Sequence, residues 1–429
     1  MTDADVMATG PALILAGSAV VAGLLSQRPA MPGLRWLGVT ACAAAAVTAI
    51  ALGAGAPGFA GSVARDGTSV FFIVLTTIGA GAAIVLDPGR RHGRRGELTS
   101  LLLFSACGAV VTVSAQDLVV LLAGIALLMI PLYPLGRGHA VRGASSLAAV
   151  AYGVSLLYAA TGETAYGTFG RATHNPLYLS GLALVAGGLL FVLVLAPTER
   201  WSVLVTAAAV GALLRVGAAT HTGDMSVNWE VTLAVLGALA MGIATVAALT
   251  EERLRRLVGY ATLLQLGSVA TAAAAFSPPA AAFALSVYTA SATVLFAAIA
   301  ALRADEPLLR DLGGLARRRP AIVIGLAVAL AAVVGLPPTA GFIGRIYVFE
   351  AAIRGQLLWL VIIGALAGAG SFVAYARVLF ASFAAQPIDA IAPPRGRVAS
   401  FVALFASVAI VVVGLIPGPL LDAVSAVRF

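Results

Sequence analysis

The chain has 429 residues, of which 61% are hydrophobic and only 10% charged, with a formal net charge of +8. So little polar surface cannot clothe a water-soluble protein of this length, and the mean hydropathy of +1.02 points to an all-α polytopic membrane protein whose solvent is the bilayer. All 26 basic residues are arginine and most lie in short loops between apolar runs, which reads as a topology signal and not as a nucleic-acid surface.

The opening decapeptide MTDADVMATG is acidic and lacks a basic stretch or a small-residue cleavage site, so a retained N-terminus is expected. Apolar runs long enough to cross about 30 Å as helices then follow at 10–27, 36–55, 69–87, 97–115, 117–136, 143–161, 177–197, 202–220, 229–250, 257–276, 280–302, 320–350, 356–383 and 397–417. Their continuous apolarity lacks the alternation of a membrane barrel strand, so each is expected to be a helix. Fourteen such spans form a single integral membrane domain with no soluble insertion; the loop 303–320 is at most a short surface helix. With both termini on the outer side, the inner loops hold 19 arginines and the outer segments 4, the asymmetry of positive-inside sorting.

Cys42 and Cys107 lie in apolar runs, and His92, His139, His174 and His221 are scattered without ligand spacing, so no disulfide frame or metal site is expected. The sequence holds neither a cysteine cluster for iron–sulfur nor a phosphate-binding glycine fingerprint, so any electron transfer is expected in partner subunits.

Two apolar runs are interrupted by proline, at 193-LVLAPTERW-201 (Pro197) and at 333-VVGLPPTAGFIGR-345 (Pro337, Pro338, with Gly341 beside them). Proline removes a backbone donor and clashes with the preceding turn, so both helices are expected to break there. They are the seventh and twelfth spans. A pair of interrupted spans five apart is the cue for two inverted five-helix repeats, here residues 97–220 (spans four to eight) and 229–383 (nine to thirteen), after N-terminal helices one to three in 1–96 and before a last helix at 397–417.

The stretch 335-GLPPTAGFIGRIYVF-349 resembles the span-twelve motif of the antiporter-like membrane subunits of respiratory NADH:quinone oxidoreductase (complex I), most closely the subunit N family. The segments 253-RLRRLVGYATLLQLG-267, 189-LLFVLVLAPTERW-201 and 117-DLVVLLAGIALLMIPLY-133 resemble that family's spans ten, seven and five. The resemblance implies a bacterial plasma-membrane protein that packs against other membrane subunits and the lipid bilayer, binds no nucleic acid, and takes part in proton translocation coupled to electron transport. NADH, flavin, iron–sulfur clusters and quinone are then expected only in partner subunits, with no cofactor on this chain and no catalysis by it alone. A Mrp-type cation/proton antiporter, a hydrogenase-linked membrane complex or a purely structural scaffold role are the alternatives.

In that family a chain of buried ionisable groups is thought to carry protons at mid-membrane, which works because burial and neighbouring charges move the pKa of lysine and glutamate by several units. The span-five glutamate falls here on Ala126 and the span-seven lysine on Val192, both incapable of holding a proton. The span-eight lysine falls on Thr206, the span-ten histidine on Gln265 and the span-twelve lysine on Arg345. Threonine and glutamine can order water without taking up charge. Arginine stays protonated and so fixes a field without readily releasing a proton. Arg345, Gln265, Tyr260, Thr206 and Glu199 remain the proton-path candidates, and a degenerate channel is the expectation.

Overall fold

The computed structural model describes residues 2–26, 33–86, 95–135, 139–171, 175–195, 199–220, 226–302, 307–384 and 397–427. Among them the chain is helical, with no strand beyond isolated β-bridges. It divides into two compact units that meet in sequence at Val227–Asn228, with Glu199 and Arg200 belonging to the second. The first unit contains α1 (Asp3–Ser26), α2 (Leu34–Leu52), α3 (Gly67–Val85), α4 (Arg95–Ser114), α5 (Leu118–Met129), α6 (His139–Thr161), α7 (Pro176–Leu195) and α8 (Ser202–Thr220). The second contains α9 (Ser226–Thr250), α10 (Leu254–Ala274), α11 (Pro278–Leu302), α12 (Leu315–Arg318), α13 (Pro320–Val334), α14 (Ala340–Arg354), α15 (Leu358–Phe383), α16 (Arg397–Leu415) and α17 (Gly418–Ser425).

Among the described residues twelve helices are long and apolar enough to cross a membrane, and two shorter apolar helices, Pro176–Phe191 and Pro320–Val334, stand at the seventh and twelfth expected spans. The protein is a polytopic membrane protein. Large apolar side chains point outward from it, among them Leu24, Val246, Phe401 and Phe405. In water that surface would drive association; in lipid it costs nothing.

Burial sorts the helices. The apolar window of α8 is 89% buried and those of α10 and α11 are 83%, whereas α16 is only 22% buried, so α8 forms the core of the first unit and α10 and α11 that of the second. Lipid tails are as apolar as leucine, so helix association here rests on close packing and hydrogen bonds between helices. Both are present in the α6–α7 pair. Gly153 and Gly181 face each other so closely that a Cβ on either would lie within 2.9 Å of the other's carbonyl oxygen, and Ser146 donates to Gly188 O at 2.7 Å. Similar single bonds tie α4 to α5 (Ser105 Oγ to Leu128 O, 2.8 Å) and α4 to α1 (Ser100 Oγ to Ala19 O, 2.7 Å).

Short connections are stitched together at one end of the first unit. Gln116 N donates to Ser62 O at 2.9 Å, Tyr166 N to Gln116 O at 3.0 Å, and Leu118 N to Thr164 O at 2.9 Å. Asp117 caps α5 by accepting from Val119 N at 2.7 Å and also accepts from the Thr164 hydroxyl at 2.5 Å. In the second unit Leu254 N donates to Pro307 O and Leu309 N to Glu252 O, each at 2.9 Å, which ties the segment before the short α12 to the start of α10.

Candidate functional site

The proline-rich run breaks a helix where the sequence places it. α13 stops at Gly335, whose φ of +84° is a left-handed conformation that favours glycine, and its N–H closes the helix on Ala331 O. Leu336–Pro338 form the turn, Thr339 stands at the N-cap of α14, and Gly341 lies so near α13 that a Cβ there would collide with Ala332 O. The break leaves carbonyls of the last turn of α13 without helical partners, and in a membrane these need donors from the protein or water.

Arg345, one turn into α14, supplies donors. Its Nη2 donates to Val333 O at 3.1 Å and its Nη1 to Gly364 O of α15 at 3.3 Å, so a single guanidinium joins α13, α14 and α15. Space for it is made by Gly368, where a Cβ would collide with Nη1. Among the described residues no carboxylate pairs with Arg345. Nearby Tyr375 is buried and its hydroxyl lacks a hydrogen-bond partner.

The other candidates have surroundings of their own within their helices. Gln265 is buried in α10 and its Nε2 lacks a partner, while Tyr260 lies half-buried on the same helix. Among the described residues no hydrogen bond joins Gln265, Tyr260 and Arg345 to one another. Glu199 forms a long ion pair with Arg255 at the start of α10 (3.9 Å), which is a position at a span end and not mid-membrane. Thr206 is buried in α8 of the first unit. Val192 and Pro197 fall outside the described positions for their side chains, so the seventh-span break and that lost lysine position have no structural description.

Ala126 sits half-buried in α5, four residues before the helix tightens into a 3-10 turn over Ile130–Leu135. Its frame is packed: Gly124 is so close to Thr112 of α4 that a Cβ would lie 2.7 Å from its backbone nitrogen. Between Glu97 and α8, the spans of the first unit carry no Asp, Glu, Lys or His away from their ends. That half holds no carboxylate or amine at mid-span that could gain and lose a proton.

Two further arginines within the spans have clear partners. Arg215, buried in α8, grips Asp66 with both terminal nitrogens (Nη2 to Oδ1 2.6 Å, Nη1 to Oδ2 3.0 Å) and donates Nε to Val113 O at 2.6 Å. Its Nη2 also reaches Ser69 Oγ at 2.6 Å. Asp66 doubles as N-cap of α3, accepting from Ser69 N at 2.7 Å. Partial burial pushes the Asp66 carboxyl up, but the hydrogen bonds and charge of Arg215, with help from Ser69, outweigh this and hold it below the usual carboxylate range. Arg377 instead caps α9, donating to Leu249 O and, at 3.5 Å, to Glu251 O. Sequence reasoning passes over Asp66 and Tyr375. The run Asp66-Gly67-Thr68-Ser69 is an N-cap signal that could have marked Asp66, but nothing local marks Tyr375.

Comparison with known proteins accords with this architecture. The family model described as NADH:quinone oxidoreductase/Mrp antiporter, TM, matches residues 115–369. A relative named NADH-quinone oxidoreductase subunit N, from Geobacter metallireducens, is 31% identical, with 100% of each chain covered. A chain of respiratory complex I from Thermus thermophilus superposes with a TM-score of 0.83 at 29% identity, covering 97% of this chain and 100% of that one. A chain of the Mrp complex from Dietzia sp. also gives 0.83, but at 17% identity over 98% and 96%, which shows a shared fold alone. The chain belongs to the NADH:quinone oxidoreductase/Mrp antiporter transmembrane family.

Proposed function

We propose that this chain is a subunit N-like component of the membrane arm of a complex I-type NADH:quinone oxidoreductase, and that its own mid-membrane proton path is degenerate. Relatives named subunit N support the placement, and redox groups then belong to partner subunits. One observation carries the second half. The cation of the broken twelfth span, Arg345, is tied to Val333 O and Gly364 O with no carboxylate opposite it among the described residues. A relay site needs a group that changes charge and a partner whose state changes with it. Arginine keeps its charge, and hydrogen bonds to carbonyls hold it equally at every stage of a cycle. Arg345 is therefore a clasp across the helix break, and the half-chain containing Ala126 offers no mid-span carboxylate to drive it.

The protein contributes packing surface and continuity to the assembly while partner subunits move protons. Both termini lie on the outer side, and the two interrupted spans mark two inverted five-helix repeats within one membrane domain. Purification from the native membrane tests the placement: co-purifying quinone oxidoreductase subunits are expected. Recovery with cation-antiporter or hydrogenase subunits instead would move the chain to a Mrp-type or hydrogenase-linked complex, whose shared fold is seen in the Dietzia structure.

A further inference from the structure

A narrow trough of about 270 Å³ runs between α13 and α15. Small residues cut it: Ala327 and Ala331, one turn apart on α13, oppose Ala376 on α15. Leu330, Leu379 and Phe380 wall it, and the lining is almost wholly apolar, with the buried Tyr375 among it. Along α15 the lining extends from Phe372 to Phe383, a rise of about 16 Å.

Its shallow end is cationic. Ala384, the residue after α15, accepts a hydrogen bond from Gly314 N at 2.8 Å, which draws the start of α12 to that mouth. α12 ends in Arg317 and Arg318, both exposed, and Arg319 leads directly into α13. Guanidinium groups at a span end, beside an apolar slot, match the two ends of a single amphiphile.

We propose that this trough holds one acyl chain of an anionic phospholipid whose headgroup phosphate rests on Arg317 and Arg318. The site stands whichever assembly the chain joins. An acyl chain gains no hydrophobic free energy on moving from bilayer to trough, so retention comes from close contact with the alanine-cut groove and from charge at the mouth.

The test uses the full chain with its accompanying subunits, equilibrated in nanodiscs of equal phosphatidylglycerol and phosphatidylcholine, with retained lipid counted by native mass spectrometry. One phosphatidylglycerol per copy is expected to resist exchange. Arg317→Gln with Arg318→Gln should weaken it about thirtyfold and abolish the headgroup preference. Ala331→Phe, or Ala327→Leu if that variant does not assemble, should abolish retention with both arginines intact. Unchanged retention in the arginine and alanine variants would overturn the proposal, as would retention without headgroup preference in the unaltered protein. A photo-reactive benzoylphenylalanine in place of Phe380, at the exposed rim, should yield lipid adducts. Adducts only to a neighbouring protein would also overturn it.

Discussion

Removing the Asp66 carboxylate should destabilise the first unit more than any surface change. Asp66→Asn keeps an N-cap for α3, because asparagine caps about as well as aspartate. It strands the charge of Arg215, whose side chain is only 2% exposed, against Val113 O and Ser69 Oγ. Breaking a fully buried pair from one side costs about 3–5 kcal/mol. The Asp66 side chain is 39% exposed, so water can enter its place, and roughly 2–3 kcal/mol is the discounted expectation. Asp66→Ala adds the lost cap, about 1 kcal/mol more. Arg215→Met with Asp66→Asn leaves no stranded charge and should recover most of the loss, the non-additivity of groups in contact. Denaturant unfolding of the purified protein in detergent, followed by circular dichroism, measures these three variants and Arg215→Met alone. If Asp66→Asn matched the unaltered protein, or the double variant fell by the sum of the singles, the pair would not hold the structure as argued.

Four further outcomes follow from the same geometry. The Asp66 carboxyl is held below its ordinary range in the folded state, so its contribution is complete above the unfolded carboxylate pKa of about 4. It should fade as the pH falls through the lower folded value, and Asp66→Asn should erase that part of the pH profile of unfolding. Gly368→Ala should displace the Arg345 guanidinium and cost about 1–3 kcal/mol, yet be nearly neutral in an Arg345→Ala background, as a double-mutant cycle of unfolding would show. Gly335→Ala, at φ +84°, should cost about 1 kcal/mol in the same assay. Single cysteines at Ser62 and Arg310 should be labelled by impermeant maleimide from opposite sides of the membrane, Ser62 from outside; labelling from one side would refute the orientation.

Much of the helix order is legible because a lipid-exposed chain cannot hide its spans: each is an apolar run ended by polar or charged residues, glycine or proline. The break at Gly335–Thr339 is equally local, since the glycine and two prolines in that stretch override the helix on both sides. Other features arise from packing. Arg215 and Asp66 lie 149 residues apart, and nothing beside either names the other. Tyr375 reads as one more aromatic in an apolar helix until α15 packs against the α13–α14 break. The tightening of α5 into a 3-10 turn at Ile130 follows from Pro131 and Pro134 but replaces what hydropathy alone draws as one straight span. The candidate proton-path residues pose a related question: the resemblance aligns them along the chain, but only packing decides which of them touch.

The central claim is that Arg345 is a clasp and not a proton carrier. Its most direct test is the number of protons pumped per two electrons by the assembly in sealed proteoliposomes, with Arg345→Ala and Gln265→Leu combined in this chain. An unchanged ratio, at normal assembly and electron-transfer rate, is the predicted result. A large fall in that ratio with assembly and electron transfer intact would contradict the account and return Arg345 to a working proton path.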